Sequence, residues 1–237
     1  MMRPDIIGLC GLAGSGKDTV AQLLVTHLRF SQMAFADALR TEVCQAYGID
    51  PSLLTRRDTK ETPTPALALS RCSTNNGFAM AVIEQCKWLE PGKSLKEEFH
   101  APRSARQIMQ WWGTEYRRTY CGQDYWTRTL TTRVHAQQQS HQFRHVISDV
   151  RFANEAAAVR AMGGVIWQVK RPSLKHDASH CSETDGSRFA PNLVIHNCHD
   201  IKHLQGVVTG AWLMAETGLD NADVIDMGAT YSRMSRS

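Results

Sequence analysis

The sequence predicts an α/β fold, in which a parallel sheet of about five strands carries helices on both faces. Short apolar runs alternate with segments of helical apolar spacing, which is the pattern of such a sheet. The runs lie at residues 6–10, 32–36, 145–150, 165–169 and 192–196. A compact run such as 145–150, without polar alternation, is typical of a strand buried on both faces. Right-handed crossovers between these strands place ligands at their carboxyl ends.

Helical spacing and stop signals define the segments between the strands. Helices are predicted at 19–28, 38–47, 77–88, 104–120, 125–139, 154–162 and 201–215. The pattern weakens between 51 and 102, where Pro and Asn-Gly turn signals occur. We therefore expect one domain over residues 1–216, with an insertion at about 51–140, a polar loop at about 170–191 and a tail at 217–237.

Composition narrows the class of protein. The 237 residues are 42% hydrophobic and 21% charged, as in an ordinary globular chain. The net charge of +4 favours anionic ligands, but the chain lacks the dense basic stripe of a nucleic-acid binder. The seven cysteines include no Cys-x-x-Cys pair, which indicates a reducing, cytoplasmic compartment. The apolar runs are too short for membrane insertion or a signal peptide.

Residues 11–19 read GLAGSGKDT and match the G-x-x-x-x-G-K pattern between a strand and a helix. Glycines in such a turn let backbone N–H groups point at phosphates, and the lysine adds charge between the β and γ oxygens. The predicted ATP-binding residues here are Gly11, Ala13, Gly14, Ser15, Gly16, Lys17, Asp18 and Thr19. The alternative is a glycine-rich turn with an unrelated lysine.

Asp18 departs from the pattern, since a Ser or Thr usually meets magnesium at this position. A carboxylate is nevertheless a suitable hard-oxygen ligand for Mg²⁺, directly or through water, and Thr19 supplies a hydroxyl next to it. The departure favours kinases whose loop ends in Gly-Lys-Asp over a generic ATPase or GTPase.

Further short strings follow the loop in order. They are Phe35-Ala36-Asp37, residues 106–118 with Gly113-Thr114-Glu115, Asp124-Tyr125-Trp126, Asp149-Val150-Arg151-Phe152, Asn154-Glu155, and His180 with Ser182-Glu183. With the loop, they make residues 6–213 resemble the deoxynucleoside monophosphate kinases of large DNA bacteriophages, a branch of the P-loop nucleotide kinases. The segment 51–102 and the tail carry no resemblance.

The resemblance implies a three-layer P-loop kinase sandwich with a helical acceptor-binding insertion and a short lid. It implies Mg²⁺-dependent transfer from ATP to a deoxynucleoside 5'-monophosphate (dNMP), giving the diphosphate (dNDP) and ADP, in the host-cell cytoplasm if the protein is phage-encoded. The implied partner is this small molecule, without nucleic acid or membrane, and a homodimer is left open.

Two neighbouring phosphate groups require several cations on rigid elements, and forked arginines suit this task better than lysines. Arg106 and Arg117 are eleven positions apart, about three helical turns, and so are expected to share a helix face. The predicted acceptor-binding residues are Asp37, Arg106, Gln110, Gly113, Thr114, Arg117, Arg118, Trp126, Arg151 and Glu155. The predicted catalytic residues are Lys17, Asp18, Arg106, Asp149 and Arg151, and the metal ligands are Asp18 and Asp149.

Several of these residues have an alternative structural role. Asp149 can hold a magnesium water or orient Arg151, as the Walker B acid does, or cap the helix that opens at Asn154. Glu155 can pair with Arg151 or merely favour the helix dipole. Asp37 can bind a sugar hydroxyl or an arginine, or cap its own helix.

Trp126 can stack on the acceptor base or, like Trp111 and Trp112, belong to the core. The lid hypothesis depends on basic side chains in the polar loop, with Arg171 assigned to ATP. These side chains are Lys170, Arg171, Lys175 and Arg188, and a solvated loop is the alternative.

A zinc site is a further alternative, since six possible ligands lie near one another in sequence. They are His176, His180, Cys181, His196, Cys198 and His199, but their spacing does not fit a closed four-ligand site. His180 with Ser182 and Glu183 is better interpreted as a loop-fixing cluster. For the whole chain two rival functions stay open: a kinase of dephospho-coenzyme A or phosphomevalonate type, and a non-catalytic ATP switch whose tail contacts a partner.

Overall fold

The computed structural model describes residues 4–56, 60–73, 76–86, 94–172 and 189–214. Its contacts divide the chain into two compact units, the first formed by Met1–Phe35 with Leu130–Ser237 and the second by Ala36–Thr129. Several residues named in the sequence analysis, and the tail, lie outside these described ranges. The residues are Lys175, His176, His180, Cys181, Ser182, Glu183 and Arg188.

The first unit contains a five-stranded sheet in the order β2-β3-β1-β4-β5. The strands are β1 Ile6–Cys10, β2 Ser31–Met33, β3 His145–Ile147, β4 Val165–Lys170 and β5 Leu193–His196. Every pair of neighbours is parallel, with Ile6 opposite His145 and Ile7 opposite Val165. The predicted parallel sheet of five strands is confirmed.

Ten α-helices are assigned in the described part of the chain. They are α1 Lys17–Leu28, α2 Phe35–Tyr47, α3 Ser52–Thr55, α4 Asn76–Cys86, α5 Leu95–His100, α6 Ala105–Gln110, α7 Thr119–Cys121, α8 Tyr125–Gln139, α9 Ala153–Ala161 and α10 Ile201–Met214. Short 3₁₀ turns occupy Pro65–Leu67 and Leu69–Arg71, and a π-helix occupies Trp111–Arg118. None of the helices described is long and apolar enough to cross a membrane.

Strand β1 is buried along its whole length because helices cover both faces of the sheet. Ile7 and Leu9 belong to a core cluster that includes side chains of α1 and α10. Ile6 and Cys10, which point to the opposite face, pack with residues of α8 and α9. The first unit is thus a three-layer α/β sandwich.

The second unit is helical and has its own apolar core. Phe78 is fully buried, and its ring centroid lies 4.6 Å from that of Trp112. The predicted helix over 104–120 is confirmed as one helical stretch, but its middle segment Trp111–Arg118 is π-helical rather than α-helical. A π-helix advances by a smaller angle per residue, so the expected common face of Arg106 and Arg117 does not follow from α-helical spacing.

Element boundaries differ where a tertiary contact decides them. Strand β2 ends at Met33 and α2 begins at Phe35, three residues earlier than predicted. The Phe35 N–H donates to Asp149 Oδ1 over 2.7 Å, which supplies an acceptor at the start of α2. By contrast, α8 has the bounds predicted from its spacing.

Candidate active site

The carboxyl ends of four strands define one edge of the sheet in the first unit. Strand β1 leads to Gly11, β3 to Ser148-Asp149, β4 to Arg171 and β5 to Asn197. Because the strands are parallel, these positions lie along the same edge, where α/β sheets bind ligands. The structure therefore brings together the glycine loop, Asp149 and Arg171, and adds Asn197, which was not predicted.

The turn after β1 has a conformation that requires glycine. The φ angles are 140° at Gly11, 76° at Gly14 and 103° at Gly16, all in the region that side chains disfavour. A Cβ on Gly11 would also lie 2.3 Å from the carbonyl oxygen of Val169. The glycines thus allow the backbone to curl tightly against β4.

Helix α1 opens directly from this turn. Gly16 is its N-cap, with a left-handed backbone and no side chain to accept from the first-turn N–H groups. The Val20 N–H bonds to Gly16 O over 2.9 Å, which closes the first helical turn. Uncapped first-turn N–H groups and the positive end of the helix dipole together form an anion-binding site.

Polar side chains surround the turn. The Lys17 ammonium donates to Gly11 O and Leu12 O, both at 2.8 Å, and so is held over the loop. Asp18 is exposed, and its carboxylate has no hydrogen-bond partner among the described residues. The Oγ of Ser15 is buried without a partner in the same described part of the chain. The loop therefore offers cationic, anionic and hydroxyl groups within a few residues.

The segment after β3 is fixed by two carboxylates. Asp149 accepts from Phe35 N, while Glu155, only 3% exposed, accepts from Arg151 N at 2.8 Å and Phe152 N at 3.1 Å. Helix α9 begins at Ala153 with Glu155 as this acceptor, so the alternative of Asp149 as its N-cap is wrong. The Glu155 carboxylate thus binds the backbone N–H of Arg151, and no ion pair joins the two side chains in the described structure. The Arg151 guanidinium is exposed at the sheet edge.

A cavity of about 260 Å³ lies at the ends of β4 and β5. It is lined by Arg171, Pro172, Asn197, Cys198 and His199. The Asn197 side chain donates to Ser15 O over 3.0 Å, which places the cavity beside the glycine loop. A guanidinium, a proline ring and an imidazole are surfaces on which a planar heterocycle can stack.

The histidines near this cavity do not form a metal site in the described structure. The rings of His199 and His203 are 4.5 Å apart, and burial, with the neighbouring His199, lowers the pKa of His203. No group of three or more His, Cys, Asp or Glu side chains within the described ranges is arranged to hold a metal. Within the described residues, His196, Cys198 and His199 do not form such a group, and His176, His180 and Cys181 lie outside those residues.

Cys10 is the last residue of β1, next to the loop. Burial raises the pKa of its thiol to about 11, against the weaker opposing effect of Lys17. The thiol is therefore protonated at neutral pH and is a poor nucleophile.

In the second unit, two predicted acceptor-binding residues form ion pairs. Arg106 Nε lies 2.5 Å from Glu61 Oε1, with the two side chains 49% and 61% exposed. Asp37 pairs with Arg40 over 2.8 Å. Because α2 begins at Phe35, Asp37 lies in the first turn of the helix and is not its cap. Both pairs are accessible to solvent.

Glu42 is a polar centre that was not predicted. Its carboxylate accepts from Trp112 Nε1 at 2.8 Å, Arg117 Nε at 2.6 Å and the Tyr125 hydroxyl at 2.6 Å. The Arg117 guanidinium also lies 4.8 Å from the ring centroid of Tyr116 and 5.2 Å from that of Tyr125. The charge of Arg117 is thus compensated within the protein, so its first role is to hold this cluster together.

The other acceptor-side residues lie on the π-helix and its neighbours. Trp126 is 4% exposed, and its indole N–H donates to Gly113 O over 3.0 Å, as a core side chain does. Gln110 and Thr114 are exposed, and Arg118 is half-buried. The exposed polar groups are accessible to solvent, whereas Trp126 and Gly113 are buried.

A parallel sheet with a glycine loop between its first strand and first helix is the architecture of the P-loop kinases. Residues 67–208 match the family model described as deoxynucleotide monophosphate kinase. The chain therefore belongs to the deoxynucleotide monophosphate kinase family and is a phosphotransferase. This confirms the family resemblance drawn from the sequence, but the match includes residues 67–102, where no resemblance was expected. The match begins after the glycine loop, so the loop supports the family independently.

A relative of similar length comes from Acanthamoeba polyphaga mimivirus and is named "Putative deoxynucleotide monophosphate kinase". The two sequences are 27% identical over 195 residues, which cover 76% of this chain and 81% of the viral protein. The similarity therefore extends over most of both chains.

Sequence reasoning missed Asn197 and Glu42 for different reasons. Asn197 directly follows the predicted strand 192–196, so the rule that pointed to Asp149 could have found it as well. Glu42 carries no comparable signal, because its three partners lie far away in the sequence.

Proposed function

We propose that the chain transfers the terminal phosphoryl group of ATP to deoxynucleoside 5'-monophosphates, with Mg²⁺, giving deoxynucleoside diphosphates and ADP. The observation that carries this proposal is the glycine loop with Lys17 at the uncapped start of α1, in a chain of this family. Loop and helix N–H groups with one ammonium form the cradle that a triphosphate requires.

For the donor, the loop N–H groups bind the phosphates and the adjoining cavity receives the base. The Lys17 ammonium would exchange Gly11 O and Leu12 O for phosphate oxygens, a change that needs only a side-chain rotation. Arg171 and Pro172 present flat surfaces to the base. The proposal therefore assigns Arg171 to ATP binding, as the sequence analysis does.

For the metal, the carboxylates present fit a hard cation. Asp18 is exposed on the first turn of α1, Thr19 adds a hydroxyl, and Asp149 lies along the same sheet edge. The contact of Asp149 with Phe35 N restricts its rotation, which favours a fixed ligand position. A bound Mg²⁺ supplies positive charge that neutralises phosphate oxygens.

For the acceptor, each unit contributes its own candidates. In the second unit these are the exposed or half-buried groups Arg106, Arg118, Gln110, Thr114 and Asp37, which combine guanidinium charge with hydrogen-bonding side chains. In the first unit, the exposed guanidinium of Arg151 is the candidate that compensates negative charge on the transferred group.

The thiols bear on where this reaction takes place. In the described part of the chain, free thiols are found at Cys10, Cys44, Cys121 and Cys198. Free thiols suit a reducing compartment, and we place the enzyme in the cytoplasm, that of the host cell if the protein is phage-encoded.

A coupled ADP-release assay tests the proposed function. The acceptors compared are the four dNMPs, the corresponding ribonucleotides, dephospho-coenzyme A and phosphomevalonate. Turnover with dNMPs that stops on chelation of Mg²⁺ is the expected result. Turnover with only another acceptor, or ATP binding without any turnover, would contradict the proposal.

A further inference from the structure

We propose that Asn197 is a positioning residue that holds the glycine loop in its anion-binding conformation and couples the loop to the neighbouring cavity. The inference rests on the ATP site of the proposed function and concerns a side chain to which no role has been assigned so far.

The first observation is the hydrogen bond from Asn197 Nδ2 to Ser15 O, which is 3.0 Å long. The peptide bond between Ser15 and Gly16 is planar and trans, so the Ser15 carbonyl and the Gly16 N–H point in opposite directions. Holding the carbonyl against Asn197 therefore turns the Gly16 N–H away from Asn197. A single side-chain bond thus fixes the direction of a loop N–H group.

The second observation is the close packing of Asn197 on Gly16. A Cβ added to Gly16 would lie 2.5 Å from Asn197 Nδ2, so the amide occupies the space of a side chain. Gly16 has a left-handed backbone and is the N-cap of α1. Asn197 therefore restrains the residue at which the loop becomes a helix.

The third observation is the anchoring of Asn197 itself. Its backbone N–H donates to Lys170 O over 2.7 Å, which fixes the residue at the end of the β4–β5 pair. Its side chain is also one wall of the cavity formed with Arg171, Pro172, Cys198 and His199. A heterocycle in that cavity would restrict Asn197 and, through it, the loop.

The test compares ligands that contain the phosphates, the base or both. Dissociation constants of ATP, inorganic tripolyphosphate and adenosine are measured by calorimetry for the wild type, Asn197→Ala and Asn197→Asp. Asn197→Ala is expected to raise the dissociation constants of ATP and tripolyphosphate by about five- to tenfold, which is the effect of one lost hydrogen bond. Asn197→Asp should raise both dissociation constants further, because the new carboxylate repels Ser15 O and the phosphates.

Asn192→Ala is a matched control at the opposite end of β5. Its Oδ1 accepts from Ile166 N over 2.8 Å, so the variant also loses one side-chain bond to the backbone. It should lower the melting temperature without changing tripolyphosphate affinity. In steady-state assays, Asn197→Ala should raise KM for ATP and leave KM for the acceptor unchanged.

The outcomes separate this inference from the function on which it rests. If the wild type binds neither ATP nor tripolyphosphate, the proposed function fails, and the inference fails with it. Suppose that the wild type binds both, but Asn197→Ala weakens the binding of ATP and adenosine and leaves tripolyphosphate binding unchanged. Asn197 then contacts the base, and the inference is overturned. Equal weakening of tripolyphosphate in Asn192→Ala would also overturn it, because general destabilisation would then explain the effect.

Discussion

Replacement of Glu42 by alanine should destabilise the protein by about 3 kcal/mol. The variant removes the acceptor shared by Trp112, Arg117 and Tyr125. A hydrogen bond to a charged group contributes about 1.5–3 kcal/mol, and breaking a fully buried ion pair costs about 3–5 kcal/mol. Because Glu42 and Arg117 are still 20% and 21% exposed, the expected loss lies at the lower end of that range.

Thermal denaturation followed by tryptophan fluorescence measures this loss. A loss of about 3 kcal/mol corresponds to a fall in Tm of roughly 6–12 °C for a chain of this length. Glu61→Ala is the matched control, since its ion pair with Arg106 has a similar N–O distance of 2.5 Å but is far more exposed. The Glu61→Ala control should lower the free energy of unfolding by less than about 1 kcal/mol. Equal shifts in the two variants would refute the argument that burial decides the strength of these pairs.

Three further predictions concern catalysis and pH. Lys17→Ala should lower kcat by at least about a hundredfold, because the variant loses a group that stabilises charge on the transferred phosphoryl group. The far-UV circular dichroism spectrum should stay unchanged, and wild-type turnover would contradict the role assigned to Lys17. Arg106→Ala should raise KM for the acceptor far more than KM for ATP, whereas Arg128→Ala, which breaks an exposed pair with Asp124 in the same unit, should change neither; an unchanged acceptor KM would remove Arg106 from the site. Burial lowers the pKa of His145, so the unfolded chain takes up a proton first as pH falls below about 6.5, and stability should decline there by at most about 1.4 kcal/mol per pH unit. Urea unfolding at pH 7.5 and 5.5 measures the decline, and His145→Gln should reduce it; an equal decline in that variant would assign it to other groups.

Local signals account for what the sequence could predict. The glycine loop between β1 and α1 is determined by residues next to one another, because glycine is required wherever φ is positive. Helix α8 has the predicted bounds because its spacing is regular and Gly122 interrupts the chain before it. Parallel strand runs are recognisable because burial on both faces leaves them apolar.

Long-range contacts account for what could not be predicted. The early start of α2 depends on Asp149, which lies more than a hundred residues away. The π-helix at Trp111–Arg118 accompanies burial of two adjacent indoles, and α-helical spacing gives no sign of the wider turn. Among site residues, Glu42 gained its role from partners on other helices, whereas Asn197 followed a strand end and was open to prediction.

The strand order also bears on how the chain folds. Strand β1 is synthesised before the other strands, but its two neighbours in the sheet are β3 and β4. Ile6 can therefore pair only after His145 has been synthesised. Residues 36–129, by contrast, are contiguous and have their own apolar core. During synthesis this middle segment can become compact while the N-terminal strand is still without a partner, and contacts so distant in sequence slow the final closure of the sheet. We therefore expect the glycine loop to acquire its shape late, after synthesis of the strands that support it.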